Sequence, residues 1–304
     1  MRRAVIFLAV FSACLIVASA GGARQSAQIV GRSTVTALAA DGNDVAFSAA
    51  RTKLDCDRVF IWQRLTGRTF QLGKRQRCAP RAAPVDSLAV SGARALWLTS
   101  TSGKTVSWQL WTATTTKKTP KLLQFTTRQP DDPRPILIGS AGGGLLPYAI
   151  DNTVTALKSN GSIAFAGWNA SSPIVGLAAS PGRVAVAEAQ RVTVLDVHGK
   201  IVSVDLYASE VSAVGLVTKG QVVQRGSVIE LRRGTEAHEF PITGDSHLAD
   251  AEGKAAAWWD GKLVHVMRLP DGTQTGVYPG SLAAIAGTRL YVANGRTITI
   301  RTIR

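Results

Sequence analysis

Histidine is the residue type best suited to metal binding or to proton transfer near neutral pH, and this sequence has four. They are His198, His238, His247 and His265, and a metal cluster would have to be assembled from different units of a repeat described below. The sequence contains neither the His-Glu-x-x-His spacing of metalloproteases nor the Gly-x-Ser-x-Gly turn of many hydrolases. We therefore expect packed or solvated histidines, and we predict no catalytic residue, no metal ligand and no cofactor site.

A pair of adjacent acids, Asp131 and Asp132, is a second feature that could carry chemistry. Two close carboxyl groups can hold a cation or perform acid–base catalysis. The segment 128–134 has the sequence Arg-Gln-Pro-Asp-Asp-Pro-Arg, and its two prolines indicate a loop between strands. We interpret the pair as part of a solvated loop. A hydrolase or lyase that acts on glycans or esters remains the alternative function.

Two cysteines, Cys56 and Cys78, flank a predicted hairpin whose turn is at Thr66 and Gly67. The midpoint between the two cysteines is residue 67, so antiparallel pairing would bring them nearly opposite each other. An oxidising compartment would favour a bond between them. We predict a structural disulfide that contributes about 3 kcal/mol on the chain-entropy model.

Two clusters of basic residues lie in the long first two units of the repeat, where extra residues indicate protruding loops. Loops on a rigid scaffold commonly carry binding function, so these side chains are candidate binding residues. They are Lys74, Arg75, Arg77 and Arg81 in the first cluster and Lys117, Lys118 and Lys121 in the second. The alternative, that both clusters are solvated loops without a partner, remains open.

The whole sequence is basic, with 35 Lys and Arg against 20 Asp and Glu and a net charge of +15. Such an excess favours anionic partners through long-range attraction. In an exported protein this partner would be a protein or an anionic envelope polymer, and we expect no nucleic acid. The charge is spread along the chain, so the arginine and alanine bias of a GC-rich bacterial genome is the simpler explanation.

Residues 1–20 have the pattern of a secretory signal peptide. Arg2 and Arg3 precede an apolar run over residues 4–20 that ends in Ala-Ser-Ala, a small-residue cleavage site. We predict cleavage after Ala20, a secreted or cell-envelope location, and a single domain over residues 21–304. The alternative is an uncleaved membrane anchor, because a run of this length is at the lower limit for spanning a bilayer.

One unit recurs through residues 21–304: two strands joined by a glycine turn, a loop, and two further strands joined by a short turn. Short apolar runs bounded by turn signals are typical of strands, and runs that are apolar on both faces indicate strands buried between sheets. Seven such units predict an all-β fold, a seven-bladed β-propeller with four-stranded antiparallel blades. The glycines of the first turns are at positions 42, 92, about 142, 182, 220, 253 and 287.

The seventh unit has only three strands before Arg304, whereas a spare strand-like segment, residues 27–30, precedes the first unit. We predict that this N-terminal strand forms the outer strand of the last blade, which closes the ring and removes open sheet edges. A pair of β-sandwiches or an open array of repeats is the alternative. We expect the closed ring to be a monomer with no transmembrane helix in the mature chain.

The units resemble those of WD-repeat and TolB-type propellers. The resemblance rests on an apolar strand followed by Trp and a Thr-Gly turn, as in residues 60–68, Phe-Ile-Trp-Gln-Arg-Leu-Thr-Gly-Arg. The Gly-His and Trp-Asp signatures of true WD repeats are missing. The resemblance concerns the fold and by itself indicates no function. Because the predicted propeller has basic loops and no catalytic residues, we expect a binding or protein-interaction module of the cell envelope.

Overall fold

The computed structural model describes residues 28–31, 33–50, 57–73 and 85–303. These residues form 28 β-strands in seven four-stranded antiparallel sheets, and none of the described residues lies in an α-helix. The sheets pack face to face around one axis, which confirms the predicted seven-bladed β-propeller. Within the described part of the chain, no helix is long and apolar enough to cross a membrane.

In blades 1 to 6 the four strands follow chain order from the axis of the ring outward. Blade 1 contains β2 (Val35–Asp41), β3 (Asp44–Ala50), β4 (Asp57–Gln63) and β5 (Arg68–Gln71). Blade 2 contains β6 (Ser87–Ser91), β7 (Arg94–Thr101), β8 (Val106–Thr114) and β9 (Lys121–Arg128). Blade 3 contains β10 (Ile136–Ile138), β11 (Leu145–Ile150), β12 (Thr153–Lys158) and β13 (Ile163–Asn169).

The remaining blades are more uniform in length. Blade 4 contains β14 (Ile174–Ser180), β15 (Arg183–Glu188), β16 (Arg191–Asp196) and β17 (Ile201–Leu206). Blade 5 contains β18 (Ala213–Val217), β19 (Gly220–Arg225), β20 (Val228–Arg233) and β21 (Glu236–Pro241). Blade 6 contains β22 (His247–Glu252), β23 (Ala255–Trp259), β24 (Leu263–Arg268) and β25 (Gln274–Pro279). Blade 7 contains β26 (Leu282–Ala286), β27 (Arg289–Asn294), β28 (Thr297–Thr302) and β1 (Gln28–Val30).

The N-terminal strand closes the ring, as the sequence predicted. β1 pairs antiparallel with β28, with Gln28 opposite Thr299 and Val30 opposite Thr297. Two further backbone hydrogen bonds, from Gly31 to Arg296 and from Val35 to Gly295, continue the contact from β1 towards β2. The last blade therefore takes three strands from the C-terminal part of the chain and its outer strand from the N-terminal part.

The core is divided into seven clusters, one between each pair of neighbouring blades. Strand β15 shows why the sequence produces this arrangement. Val184 and Val186 pack against blade 3, whereas Ala185 and Ala187 pack against blade 5, and all four are fully buried. A strand that is apolar on both faces is stable only between two other sheets, which is the position that a blade provides.

Blade 3 departs from the sequence prediction, because the sequence indicates strands in this unit only at residues 135–138, 152–158 and 162–166 and so does not identify β11. This strand contains Pro147 and follows the run of glycines at 142–144, and proline and glycine are both unfavourable in the interior of a strand. The nearby Gly139 lies so close to blade 4 that an added Cβ would clash with Leu177, and Ser140 forms a bridge to Ala178. The glycine-rich run therefore allows blade 3 to pack closely against blade 4.

The hairpin of blade 1 has a slightly different axis from the predicted one. Phe60 pairs with Gln71 and Gln63 pairs with Arg68, so the axis lies between residues 65 and 66 and not at residue 67. Cys56 and Cys78 lie outside the described residues. Their disulfide therefore remains a prediction.

Candidate interaction surface

The course of the chain gives the ring two distinct faces. We call the face that holds the first and third turns of each blade the turn face. The opposite face, which holds the middle turns and the connections between blades, is called the loop face. The first turns of the blades join the two innermost strands, so they surround the mouth of the central channel on the turn face.

Five of the seven first turns carry a cation. Arg94, Arg183 and Arg289 each begin the second strand of their blade, opposite the last residue of the first strand. Lys219 and Lys254 lie within the first turns of blades 5 and 6. The repeat therefore places a ring of positive charge around the channel mouth, which we call the mouth cations.

The mouth cations differ in how firmly they are held. Arg94 donates to the carbonyl oxygens of Ser159 and Asn160, at 3.0 and 3.1 Å, and so ties blade 2 to blade 3. Burial lowers the pKa of Arg94. The side chains of Arg183, Lys219 and Lys254 are exposed. Those three are therefore available to a partner, whereas Arg94 has a structural role.

The first turn of blade 5 corrects one detail of the sequence analysis, which placed the turn glycine at Gly220. The left-handed residue is instead Lys219, with φ of 61°, and Gly220 begins the following strand. Gly220 is needed for a different reason, because an added Cβ would lie 2.5 Å from the carbonyl oxygen of Arg232. A strained backbone at a non-glycine residue is often found at functional positions, and here it presents Lys219 to solvent.

The second predicted basic cluster lies in the third turn of blade 2, on the turn face. Lys117, Lys118 and Lys121 are all exposed, and the Lys118 ammonium lies 5.2 Å from the centre of the Phe70 ring. The amide of Gly73 donates to the carbonyl oxygen of Lys118 at 2.9 Å, so this turn contacts blade 1. The residues of the first cluster, Lys74, Arg75, Arg77 and Arg81, lie outside the described residues.

Among the described residues, the turns and strand ends of the turn face carry fourteen Lys and Arg and only six Asp and Glu. The corresponding described positions of the loop face carry seven Lys and Arg and nine Asp and Glu. The fourteen turn-face cations are Arg64, Arg68, Arg94, Lys117, Lys118, Lys121, Lys158, Arg183, Lys200, Lys219, Arg233, Lys254, Arg268 and Arg289.

The two faces also differ in how many of their cations form ion pairs. Of the turn-face cations, Arg268 alone forms an ion pair within the described part of the chain, with Asp271 at 2.6 Å. On the loop face, four of the seven described cations are ion-paired: Arg128, Arg134, Arg191 and Arg225. The positive charge of the turn face is therefore largely uncompensated by the fold itself.

A cleft of about 410 Å³ lies on the turn face between the first turns of blades 6 and 7. The residues that line it include Gly253, Lys254, Arg268, Gly287 and the apolar Ile303. The cleft thus combines cations with an apolar surface. Such a lining suits an acidic side chain that has an apolar neighbour.

Two carboxyl groups on the inner strand β22 lie at the contact between blades 6 and 7. Asp250 accepts a hydrogen bond from the amide of Ile285 at 2.7 Å, and Glu252 accepts one from the amide of Gly287 at 3.2 Å. Burial raises the pKa of Asp250 to about 6. Burial and the nearby charge of Asp250 raise the pKa of Glu252 to about 7. Their bonds to the main chain of blade 7 give these groups a structural role.

The histidines and the acid pair lie apart from one another. His198, His238 and His247 are exposed, whereas His265 stacks on Trp258 and its Nε2 lies 2.7 Å from Asp260 Oδ2. The bond to His265 and two backbone amides lower the pKa of Asp260 to about 2. Groups of three or more side chains able to hold a metal are absent from the described part of the chain.

The acid pair lies in an exposed loop on the loop face. Asp131 and Asp132 are both exposed, and Asp132 accepts a hydrogen bond from the amide of Gln129 at 2.9 Å. Asp132 thereby stabilises the turn that connects blades 2 and 3.

No protein-family model matches this sequence, and no curated protein is significantly similar to it. Among solved structures, Sqt1 of Saccharomyces cerevisiae is similar, with a TM-score of 0.52 and 11% identity over 91% of this chain and 98% of Sqt1. BamB of Moraxella catarrhalis is also similar, with a TM-score of 0.53 and 12% identity over 88% of this chain and 85% of BamB. The described chain therefore shares the β-propeller fold of these two structures, with seven four-stranded blades.

Proposed function

We propose that this protein is an exported propeller that acts as a protein-interaction module of the cell envelope, and that it docks an acidic partner on its turn face. The observation that carries the proposal is the uncompensated charge of that face. Thirteen of the fourteen cations there lack an ion pair within the described residues. A partner with acidic side chains would provide the ion pairs that these cations lack within the described residues.

Several features of the mouth cations suit a binding role. Arg183, Lys219 and Lys254 are exposed, and the scaffold that carries them is rigid because the ring is closed by β1. A rigid backbone loses little conformational freedom on binding, which improves affinity. The neighbouring cleft adds apolar surface, so the face offers both charge steering and an apolar contact.

Export and an envelope location rest on the sequence pattern of residues 1–20, which lie outside the described residues. A basic protein outside the cytoplasm meets acidic proteins and anionic polymers. We favour an acidic protein because the cations form a compact ring beside an apolar cleft, and an extended polymer would not need that cleft. The test described below distinguishes binding to an acidic protein from binding to an anionic polymer.

The test compares two variants with equal changes of charge. The first carries Arg183→Glu, Lys219→Glu and Lys254→Glu on the turn face. The control carries Lys104→Glu, Lys262→Glu and Arg296→Glu, three exposed positions of the loop face. Each purified protein is immobilised and exposed to envelope extract at about 50 mM and about 300 mM salt, which screen exposed charges very differently.

We expect wild type and the control to retain one defined protein at low salt, and the turn-face variant to lose it. Equal retention by the two variants would show that the turn face is not the docking surface. Retention of polysaccharide or lipid alone, without protein, would overturn the choice of an acidic protein. Circular dichroism and thermal unfolding confirm that both variants are folded.

A further inference from the structure

The outer strand of blade 4, β17, has an unusual surface. It has the sequence Ile-Val-Ser-Val-Asp-Leu, and its four large apolar side chains are all exposed: Ile201 by 59%, Val202 by 57%, Val204 by 45% and Leu206 by 68%. None of the other outer strands has more than two exposed large apolar residues among the described positions. An apolar row of this kind on a protein surface marks an interaction site.

The register of the sheet shows where this row points. Ile201 pairs with Leu195, which packs between blades 3 and 4, and Val204 and Leu206 lie on the same side of the sheet. Blade 3 contributes Phe165 and the half-buried Trp168 of its own outer strand to the same cluster. Ile201, Val204 and Leu206 therefore form an exposed apolar row on the side of blade 4 that faces blade 3, and we call the space between this row and the outer strand of blade 3 the groove.

The free edge of β17 is available for pairing. An outer strand leaves half of its backbone amides and carbonyls unpaired, and proteins usually protect such an edge with Lys, Arg or Pro. The outer strand β9 contains Lys121 and Arg128, and β21 and β25 each end in proline, whereas β17 contains none of these residues. A bulge at Val202 protects only the first part of the strand.

The two ends of the groove differ in ion pairing, because Arg191 at the loop-face end, opposite Leu206, is paired with Glu188. Lys158 and Lys200, in the third turns of blades 3 and 4, are exposed at its turn-face end, and neither forms an ion pair within the described chain. Asp205, the one acid of β17, points to the other side of the sheet. There it accepts a hydrogen bond from Gln221 at 2.9 Å and lies 3.7 Å from Arg232.

We propose that β17 binds an extended apolar segment of a partner protein, which adds to blade 4 as a fifth, antiparallel strand. β17 runs from the turn face to the loop face, so the C-terminal end of an antiparallel segment reaches Lys158 and Lys200. An acidic residue or the terminal carboxylate of the segment is held there. This inference rests on the proposed protein-interaction function, but it concerns a different surface from the mouth cations.

The test uses a fluorescein-labelled synthetic peptide, Thr-Val-Thr-Val-Thr-Val-Asp-Asp, titrated with the full chain and followed by fluorescence anisotropy. Val204→Lys places a charge in the groove. The matched control is Val277→Lys, on the outer strand of blade 6, whose side chain is 41% exposed and so resembles Val204. A second peptide replaces the two aspartates with lysine.

We expect the acidic peptide to bind with a dissociation constant below about 1 mM, and Val204→Lys to weaken it by about tenfold or more. Val277→Lys should change the constant less than about twofold, and the lysine peptide should bind more weakly than the acidic one. Hydrogen exchange of residues 201–206 should slow only when the acidic peptide is present.

Three results would overturn the proposal: no binding by wild type, equal weakening by the two lysine variants, or wild-type dimers that Val204→Lys dissociates. The last result would show that a second copy of this chain occupies the edge. The triple turn-face variant keeps Lys158 and Lys200 and should bind the peptide as wild type does. Failure of this inference and failure of the proposed docking face are therefore distinguishable.

Discussion

A buried ion network behind β17 leads to a prediction about the stability of the folded protein. Glu230 in β20 is almost fully buried, and its carboxylate lies 2.5 Å from Arg225 and 2.8 Å from Arg232. The Arg232 guanidinium lies 4.3 Å from the centre of the Tyr207 ring and donates to the carbonyl oxygen of Leu206. The network therefore fixes the end of β17 against blade 5.

Removing the carboxylate by Glu230→Ala leaves two guanidinium groups without their main partner. Breaking a buried ion pair from one side costs about 3–5 kcal/mol. The lower end applies here, because Arg225 keeps Glu239 and Arg232 keeps Asp205, and the two arginine side chains are 15% and 23% exposed. We expect a loss of about 3 kcal/mol, equal to a fall in Tm of about 5 °C for a chain of this size.

The assay is calorimetry of wild type, Glu230→Ala and a matched variant, Glu239→Ala. Glu239 contacts the same Arg225 at 2.6 Å, but its side chain is 59% exposed, so its removal should cost less than about 0.5 kcal/mol. Equal losses in the two variants, or a loss below about 1 kcal/mol for Glu230→Ala, would refute the reasoning that burial sets the cost.

Three further predictions concern other parts of the ring. The pKa of Glu252 is raised to about 7 in the folded protein, so the folded state retains a proton that the unfolded chain releases near its usual value of 4.5. Stability from this group is full below that value and is lost as the pH rises through 7. Glu252→Gln should therefore increase stability at pH 8 by about 1–2 kcal/mol and leave it nearly unchanged at pH 4, and equal Tm shifts at both values would contradict this. Cys56 and Cys78 should yield no free thiol when the mature protein is denatured without reductant, whereas two titratable thiols would rule out the disulfide. Lys219→Gly should raise the free energy of unfolding by about 0.5 kcal/mol by relieving a left-handed backbone, whereas Gly220→Ala should lower it by more than about 1 kcal/mol; chemical denaturation that gives the opposite order would show that we have misplaced the strain.

The sequence was sufficient to predict the ring because each unit encodes its own strands and turns. The alternation of apolar runs and glycine turns gave seven units, and the spare segment before the first unit predicted the closing strand β1. Strand β11 was missed because Pro147 and the preceding glycines are read locally as breakers. The glycines of this segment instead allow blade 3 to pack closely on blade 4, Gly139 against Leu177 and Gly142 against Ala179, which are contacts between distant residues.

The candidate surfaces were harder to predict. The second basic cluster around Lys117 was identified from the sequence, because its charges are adjacent in the chain. The mouth cations were missed, since they are separated by whole repeat units and come together only when the ring closes. A signal was present nonetheless: in five units a cation lies within two residues of the first-turn glycine.

The groove beside β17 could not be predicted from the sequence alone. The run Ile-Val-Ser-Val-Asp-Leu is typical of a buried strand, and only its place as the outermost strand exposes it. The side of the sheet to which Val204 points depends on a bulge at Val202. Register and bulges are set by packing between strands, so they are not encoded in local composition.

Photo-crosslinking in the native envelope tests the central claim most directly. A benzophenone amino acid is placed at Pro181 on the turn face, beside Arg183, or at Ser102 on the loop face, since both positions are exposed. We predict that position 181 crosslinks to one defined acidic protein and that position 102 does not. Crosslinks to the same protein from position 102 alone, or no protein crosslink from position 181, would contradict docking on the turn face.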